Sequence, residues 1–261
     1  MKAAVFDGYG ASDVLEVRDV AVPVPGRGEL LVRVHAAALN PKDLMIRKGG
    51  FKLLTGARFP KGIGFDWAGT VVASSSSVEG FPEGTALFGL RNGWRGGTCA
   101  ELLSVRAAEA ARKPHALDWN HAAALPLVGL TALQALRDVA GLKPGQRVVI
   151  HGASGGVGLP AIAIAKRLGA HVTTTSSARH LALCREAGAD LAIDYAKDSI
   201  LEAARPCNVF FDVYGNQSFE ALKPVLTRRG MHVSTAPKRG VPLHPAHIRI
   251  RSGCKRRCRA R

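Results

Sequence analysis

The stretch HGASGGVGLP, residues 151–160, places four glycines within seven positions directly after the apolar run RVVI at residues 147–150. Downstream, Val157, Ala161, Ile164, Ala165 and Leu168 recur with a helical period. The order is therefore strand, glycine turn, helix, with Pro160 in the first helical turn, where a missing amide proton costs least. Ala153, Gly155 and Gly158 follow an AxGxxG spacing. Such a spacing is weak alone and gains meaning from its place between strand and helix. Read functionally, Gly155 and Gly156 let the backbone approach a pyrophosphate, Gly158 lets the helix pack closely on the strand, and the turn from Ala153 through Val157 forms the cofactor cradle. The other reading is a tight turn with no ligand.

The nature of the dinucleotide depends on the next strand, AHVTTTS. A site for NAD usually ends that strand with Asp or Glu, which holds the ribose hydroxyls. From Gly152 through Arg185 there is no acidic residue. The segment SSARH instead supplies Ser176, Ser177 and Arg179, two hydroxyls and a guanidinium suited to a phosphate. This favours NADPH over NADH, unless Arg179 is only an exposed cation at a helix start.

Beyond this unit, strand-like segments LAIDY, NVFFDVY and GMHVST alternate with helical ones, the pattern of a parallel sheet with crossover helices. Residues 1–116 read differently, as short strands such as KAAVF and ELLVRVHAAAL separated by Gly and Pro turns, with one short helix in PKDLMIRKG. The expected organisation is α/β: an N-terminal barrel over 1–116, a doubly wound parallel sheet over 117–245, and a tail over 246–261.

Composition agrees with a folded chain of two domains: 261 residues, 47% hydrophobic and 21% charged. No apolar run is long enough to span a bilayer, and MKAAVFDGYG lacks the apolar core of a secretory signal, so a cytoplasmic protein is expected. The formal charge of +16 is uneven, since nine Lys and Arg with no acid lie in residues 238–261, leaving +7 for the body. That tail lacks interleaved aromatics and implies no specific nucleic-acid partner. Five cysteines, widely spaced, form neither a disulfide framework nor a zinc lobe.

The ordered motifs ALNPKDLMIRKG, GFDWAGTVV, GTCAELLSV, AAALPLVGLTAL, GASGGVGLPAIAIAKRLGA and EAGADLAIDY together resemble the zinc-independent quinone oxidoreductase branch, zeta-crystallin-like, of the medium-chain dehydrogenase/reductase superfamily. The resemblance runs from Met1 to about Pro237. It implies a GroES-like β-barrel domain followed by a Rossmann domain, NADP(H) as cofactor, hydride transfer without metal to a small acceptor such as a quinone or enone, no membrane partner, and a possible homodimer. It places Asn40, Asp43, Arg47 and Thr131 beside the nicotinamide and acceptor, and Tyr195 beside the adenosine half. Asp43 is equally a helix cap or a partner to Arg47, and Tyr195 a plain strand-end tyrosine. Metal-dependent relatives carry zinc ligands where this chain has Asn40 and Phe65, neither of which binds zinc as thiolate or imidazole does. Cys99 stands where the family has an aromatic and reads as a buried small apolar residue. After Pro237 the resemblance stops, the sheet is expected to be incomplete, and the chain reads as truncated or out of frame. Two other functions remain open: reduction of enoyl or acrylyl thioesters, and an impaired copy that binds only cofactor or, nonspecifically, RNA.

Overall fold

The computed structural model describes residues 1–94, 96–203 and 206–235. The chain divides into two compact units, Met1–Leu127 and Val128–Arg261.

Among the described residues the first unit is built from eight antiparallel strands: β1 (Lys2–Phe6), β2 (Glu16–Asp19), β3 (Glu29–Ala38), β4 (Lys61–Gly62), β5 (Asp66–Ser74), β6 (Ala86–Leu90), β7 (Leu102–Arg106) and β8 (Ala110–Arg112). They form a three-stranded sheet of order β2-β1-β4 and a five-stranded sheet of order β7-β3-β5-β6-β8. A single bridge between Ala3 and Ala100 links the β1 region to the chain before β7. Alternation along β3, β5 and β7 turns Leu30, Val32, Trp67, Val71, Leu103 and Val105 into one core, the outcome of a period of two on a half-buried sheet. Two short helices follow β3: α1 (Pro41–Arg47), which opens on a proline, and α2 (Lys52–Thr55).

A boundary after residue 116 is what the change of rhythm suggests, whereas the units divide after Leu127. The reason is α3 (Trp119–Ala124), whose Ala122 and Ala123 are buried against Ala68 of β5. Its alanines read as the start of the helical half, but they pack on the barrel. The next helix, α4 (Pro126–Leu133), runs into a turn of π-helix over Gln134–Val139.

Among the described residues the second unit carries five parallel strands: β9 (Arg147–His151), β10 (His171–Ser176), β11 (Leu191–Asp194), β12 (Cys207–Asp212) and β13 (Leu226–Ser234). Their order is β11-β10-β9-β12-β13, the reversal about the first strand of a doubly wound sheet. Helix α5 (Gly158–Arg167) crosses from β9 to β10, and α6 (Leu181–Glu186) from β10 to β11. Central strands are apolar on both faces: Val148 and Ile150 join Ala161, Ile162 and Ala165 of α5, while Val149 joins Phe210, Leu222 and Val225 on the other side. The expected edge strand HIRIRS and the tail over 246–261 lie outside the described residues. Among the described residues no helix is long and apolar enough to cross a membrane.

Candidate active site

In the first unit the site begins with Asn40, in extended conformation between β3 and α1. Its backbone N–H donates to Asp43 Oδ2 at 2.8 Å, the return bond of a capping box. The other Asp43 oxygen accepts from Gly64 N–H at 2.7 Å, so one carboxylate fixes both the helix start and the strand entry. Asp43 is therefore a cap. Arg47 turns the other way, donating from Nη1 to Gly10 O at 2.8 Å, with Gly10 N–H returning to Arg47 O at 3.0 Å.

The Asn40 side chain donates from Nδ2 to Asp66 Oδ2 at 2.6 Å. The second Asp66 oxygen accepts from Leu127 N–H, in the first turn of α4, at 2.8 Å. Asp66 is fully buried, and burial pushes its carboxyl up to about 6 against the two hydrogen bonds that favour its anion. Burial raises Asp43 as well. Asp66 is a residue of this candidate site that the sequence reading missed. Its one signal was an acid inside the otherwise apolar GFDWAG.

Phe65 is 2% exposed and packs with Phe6 and Ile46. The Lys42 ammonium stands 4.0 Å from the centre of its ring. Among the described residues no three His, Cys, Asp or Glu side chains gather where a metal ion could be held. Cys99 is half-buried, and burial, with the Asp43 charge nearby, pushes its thiol up to about 11. Cys207 is buried and likewise raised to about 11 by burial, and Cys184 is buried in the core of the second unit.

In the second unit the glycine turn leaves the carboxyl end of β9. The parallel strands bring Ser176 beside Asp194, and Thr175 beside His151, to this same edge. A methyl group added at Gly155 would meet only Gly152 O at 3.4 Å, and one at Gly156 only Val128 Cγ1 of α4 at 3.5 Å. At Gly158 it would lie 2.4–2.5 Å from the backbone of Ala153. The turn is thus open over its middle and closed at its last glycine, where α5 meets β9. Ala153 is buried, and Val157 precedes α5 and packs partly on the core.

Ser176 is buried and donates to Ser177 O at 3.2 Å, while Ser177 leads into the short turn Ala178–His180. Arg179 is exposed in that turn and enters no ion pair among the described residues. Tyr195 is 53% exposed, and its N–H donates to Ser176 O at 3.2 Å, so the four residues share one corner. Thr131 is half-buried on α4, one turn beyond Val128. Two features of this edge were not anticipated. Asp194, buried beside Ser176, brings a carboxylate close to the expected phosphate corner. A buried chain runs from Thr175 Oγ1 to His151 Nδ1 at 2.7 Å and from His151 Nε2 to Asn216 Oδ1 at 2.9 Å, holding the loop after β12.

An antiparallel barrel followed by a doubly wound sheet with an AxGxxG turn at its first strand defines the medium-chain dehydrogenase/reductase class. Residues 26–115 match the alcohol dehydrogenase GroES-like domain, and residues 156–254 the zinc-binding dehydrogenase domain. The chain is 38% identical over 234 residues to the 2-methylene-furan-3-one reductase of Solanum lycopersicum, covering 86% of this chain and 60% of that protein. It is 35% identical over 247 residues to a chloroplastic quinone-oxidoreductase homolog of Spinacia oleracea, covering 91% of this chain and 75% of the relative. Among solved structures, the Escherichia coli quinone oxidoreductase complexed with NADPH superposes with a TM-score of 0.81 at 29% identity, over 93% of this chain and 76% of that one. The chain belongs to the quinone oxidoreductase branch of the medium-chain dehydrogenase/reductase superfamily. It spans about three fifths of the length of the tomato reductase.

Proposed function

We propose that this chain binds NADPH and reduces a small planar acceptor, a quinone or an activated alkene, without a metal ion. The observation that carries the reading is the glycine turn, open at Gly155 and Gly156 and closed at Gly158. A diphosphate needs bare backbone within van der Waals reach, and the free amides at the start of α5 supply donors and a positive dipole end. In this reading Ala153, Gly155, Gly156, Val157 and Gly158 hold the diphosphate. Ser176, Ser177 and Arg179 take the 2′-phosphate, Tyr195 lies beside the adenosine half, and Thr131 borders the nicotinamide. Asp194 carries no hydrogen-bond donor when ionised and adds negative charge to that corner, so Arg179 has the task of offsetting it.

The bound dinucleotide supplies the hydride, and the protein supplies position and electrostatics. Asn40 offers the acceptor an amide held in one orientation by Asp66, while Asp43 and Arg47 hold the segment that carries it. The donor set around Asn40 does not suit zinc: Phe65 brings no lone pair, and an amide nitrogen that donates to Asp66 cannot also bind a cation.

The test is oxidation of NADPH by the purified chain with a panel of quinones, enones and enoyl thioesters. Turnover with quinones or enones and little with thioesters is the expected outcome. Turnover confined to thioesters, or a failure to bind NADPH at all, would defeat the reading.

A further inference from the structure

The helix that Asn40 caps, and that carries Asp43, also carries Lys42, to which neither the sequence motifs nor the capping geometry gives a role. Its ammonium donates to Gly93 O at 2.7 Å, and lies 4.0 Å from the centre of the Phe65 ring and 5.0 Å from that of Trp94. A lysine ammonium has three donor hydrogens, and Gly93 O is its one hydrogen-bond acceptor among the described residues. Lysines on a barrel surface ordinarily extend into water or meet a carboxylate. This one is half-buried against two aromatic faces, within electrostatic reach of the buried Asp43 and Asp66. Burial lowers its pKa and the two carboxylates pull it back up. Trp94 is itself 39% exposed and leans on Phe51, with ring centres 5.0 Å apart. The result is a partly desolvated cation seated over two aromatic rings, with two donor hydrogens to spare.

We propose that Lys42 is the residue that receives the acceptor's carbonyl oxygen, with the exposed part of Trp94 as the apolar surface beside which a planar acceptor lies. The inference deepens the reductase reading and rests on it. Reduction of a quinone or an enone builds negative charge on that oxygen, and a donor already in place and poor in water stabilises it most. Phe65 and Trp94 hold the ammonium without neutralising it, which a salt bridge would do.

Phenolate binding tests the proposal without requiring turnover. 4-Nitrophenolate is planar and carries its charge on one oxygen, and its visible absorbance reports binding; 4-nitroanisole has the same ring without the charge. The full chain, saturated with NADP⁺, is expected to prefer the phenolate to the ether by about tenfold or more, the worth of one charge-assisted hydrogen bond. Lys42→Met should remove that preference while keeping the melting temperature and the affinity for NADP⁺. Lys42→Arg should keep much of it. If Lys42→Met retains the preference, or the natural chain shows none, Lys42 is only a strut between two rings and the proposal falls. If the natural chain reduces no acceptor and yet its phenolate preference vanishes in Lys42→Met, the reductase reading fails and its assignment of Lys42 to the acceptor falls with it, leaving Lys42 a binder of phenolate oxygens only.

Discussion

Gly156 and Gly158 are two residues apart in one turn, yet a side chain would meet opposite surroundings at each. At Gly158 a methyl group would drive into the backbone of Ala153, and backbone cannot swing aside. Gly158→Ala is therefore expected to lower stability by about 1–3 kcal/mol, as overpacking usually does, visible in a urea melt. Gly156→Val should leave that melt nearly unchanged and weaken NADPH by about tenfold or more in a fluorescence titration, because its branches fill the volume over the turn. An unchanged affinity would mean that the turn holds no diphosphate. Arg179→Ala should weaken NADPH by about tenfold while leaving NADH nearly untouched, the loss of one hydrogen bond to a charged group. Equal losses for both cofactors would defeat the phosphate assignment and leave Arg179 an exposed cation at a turn.

At the level of elements, Asp66 joins β5 to the cap of α1 and to the first turn of α4. Its carboxyl titrates near 6 in the folded chain, against about 3.9 when unfolded. Between those values the folded chain holds a proton that the unfolded chain has lost, so this group makes stability fall as pH rises from about 4 to 6, and adds no further slope above. Two pKa units correspond to about 3 kcal/mol, an upper figure because Asp43 and Lys42 titrate in the same neighbourhood. Asp66→Asn should remove this component: its melting temperature relative to the natural chain is expected to rise between pH 4.5 and pH 7. A constant difference across that range would show that Asp66 is ionised throughout. Most elements were legible in the sequence because period and turn chemistry are local: alternation marked β3, the proline marked α1, and the glycines marked the passage from β9 to α5. The place of α3 was not legible, since an alanine face packs on a helix or a sheet equally well and only the folded neighbour decides. Asp66 escaped notice for the same reason, its two donors lying 26 and 61 residues away. The His151 to Asn216 bond spans 65 residues and leaves no local pattern either.

For the whole molecule, the proposed metal-free reduction implies a turnover insensitive to chelators. Exhaustive dialysis against EDTA is expected to leave NADPH oxidation unchanged and elemental analysis to find no stoichiometric zinc. Joint loss of zinc and activity would show a metal site elsewhere. The burial of the described thiols bears on what such a protein can survive. Quinones and enones are electrophiles that add readily to thiolates, and a catalyst that gathers them risks being consumed by its own cysteines. The thiolate is the reactive form, and at neutral pH Cys99 and Cys207 hold their protons some four units below the pH at which they would ionise, while Cys184 lies where no reagent reaches without unfolding. Peptide mapping after incubation with 1,4-benzoquinone at pH 7 is expected to find all three unmodified. A chain that works among alkylating substrates would thus carry, in its packing, a resistance to them that no separate antioxidant has to provide.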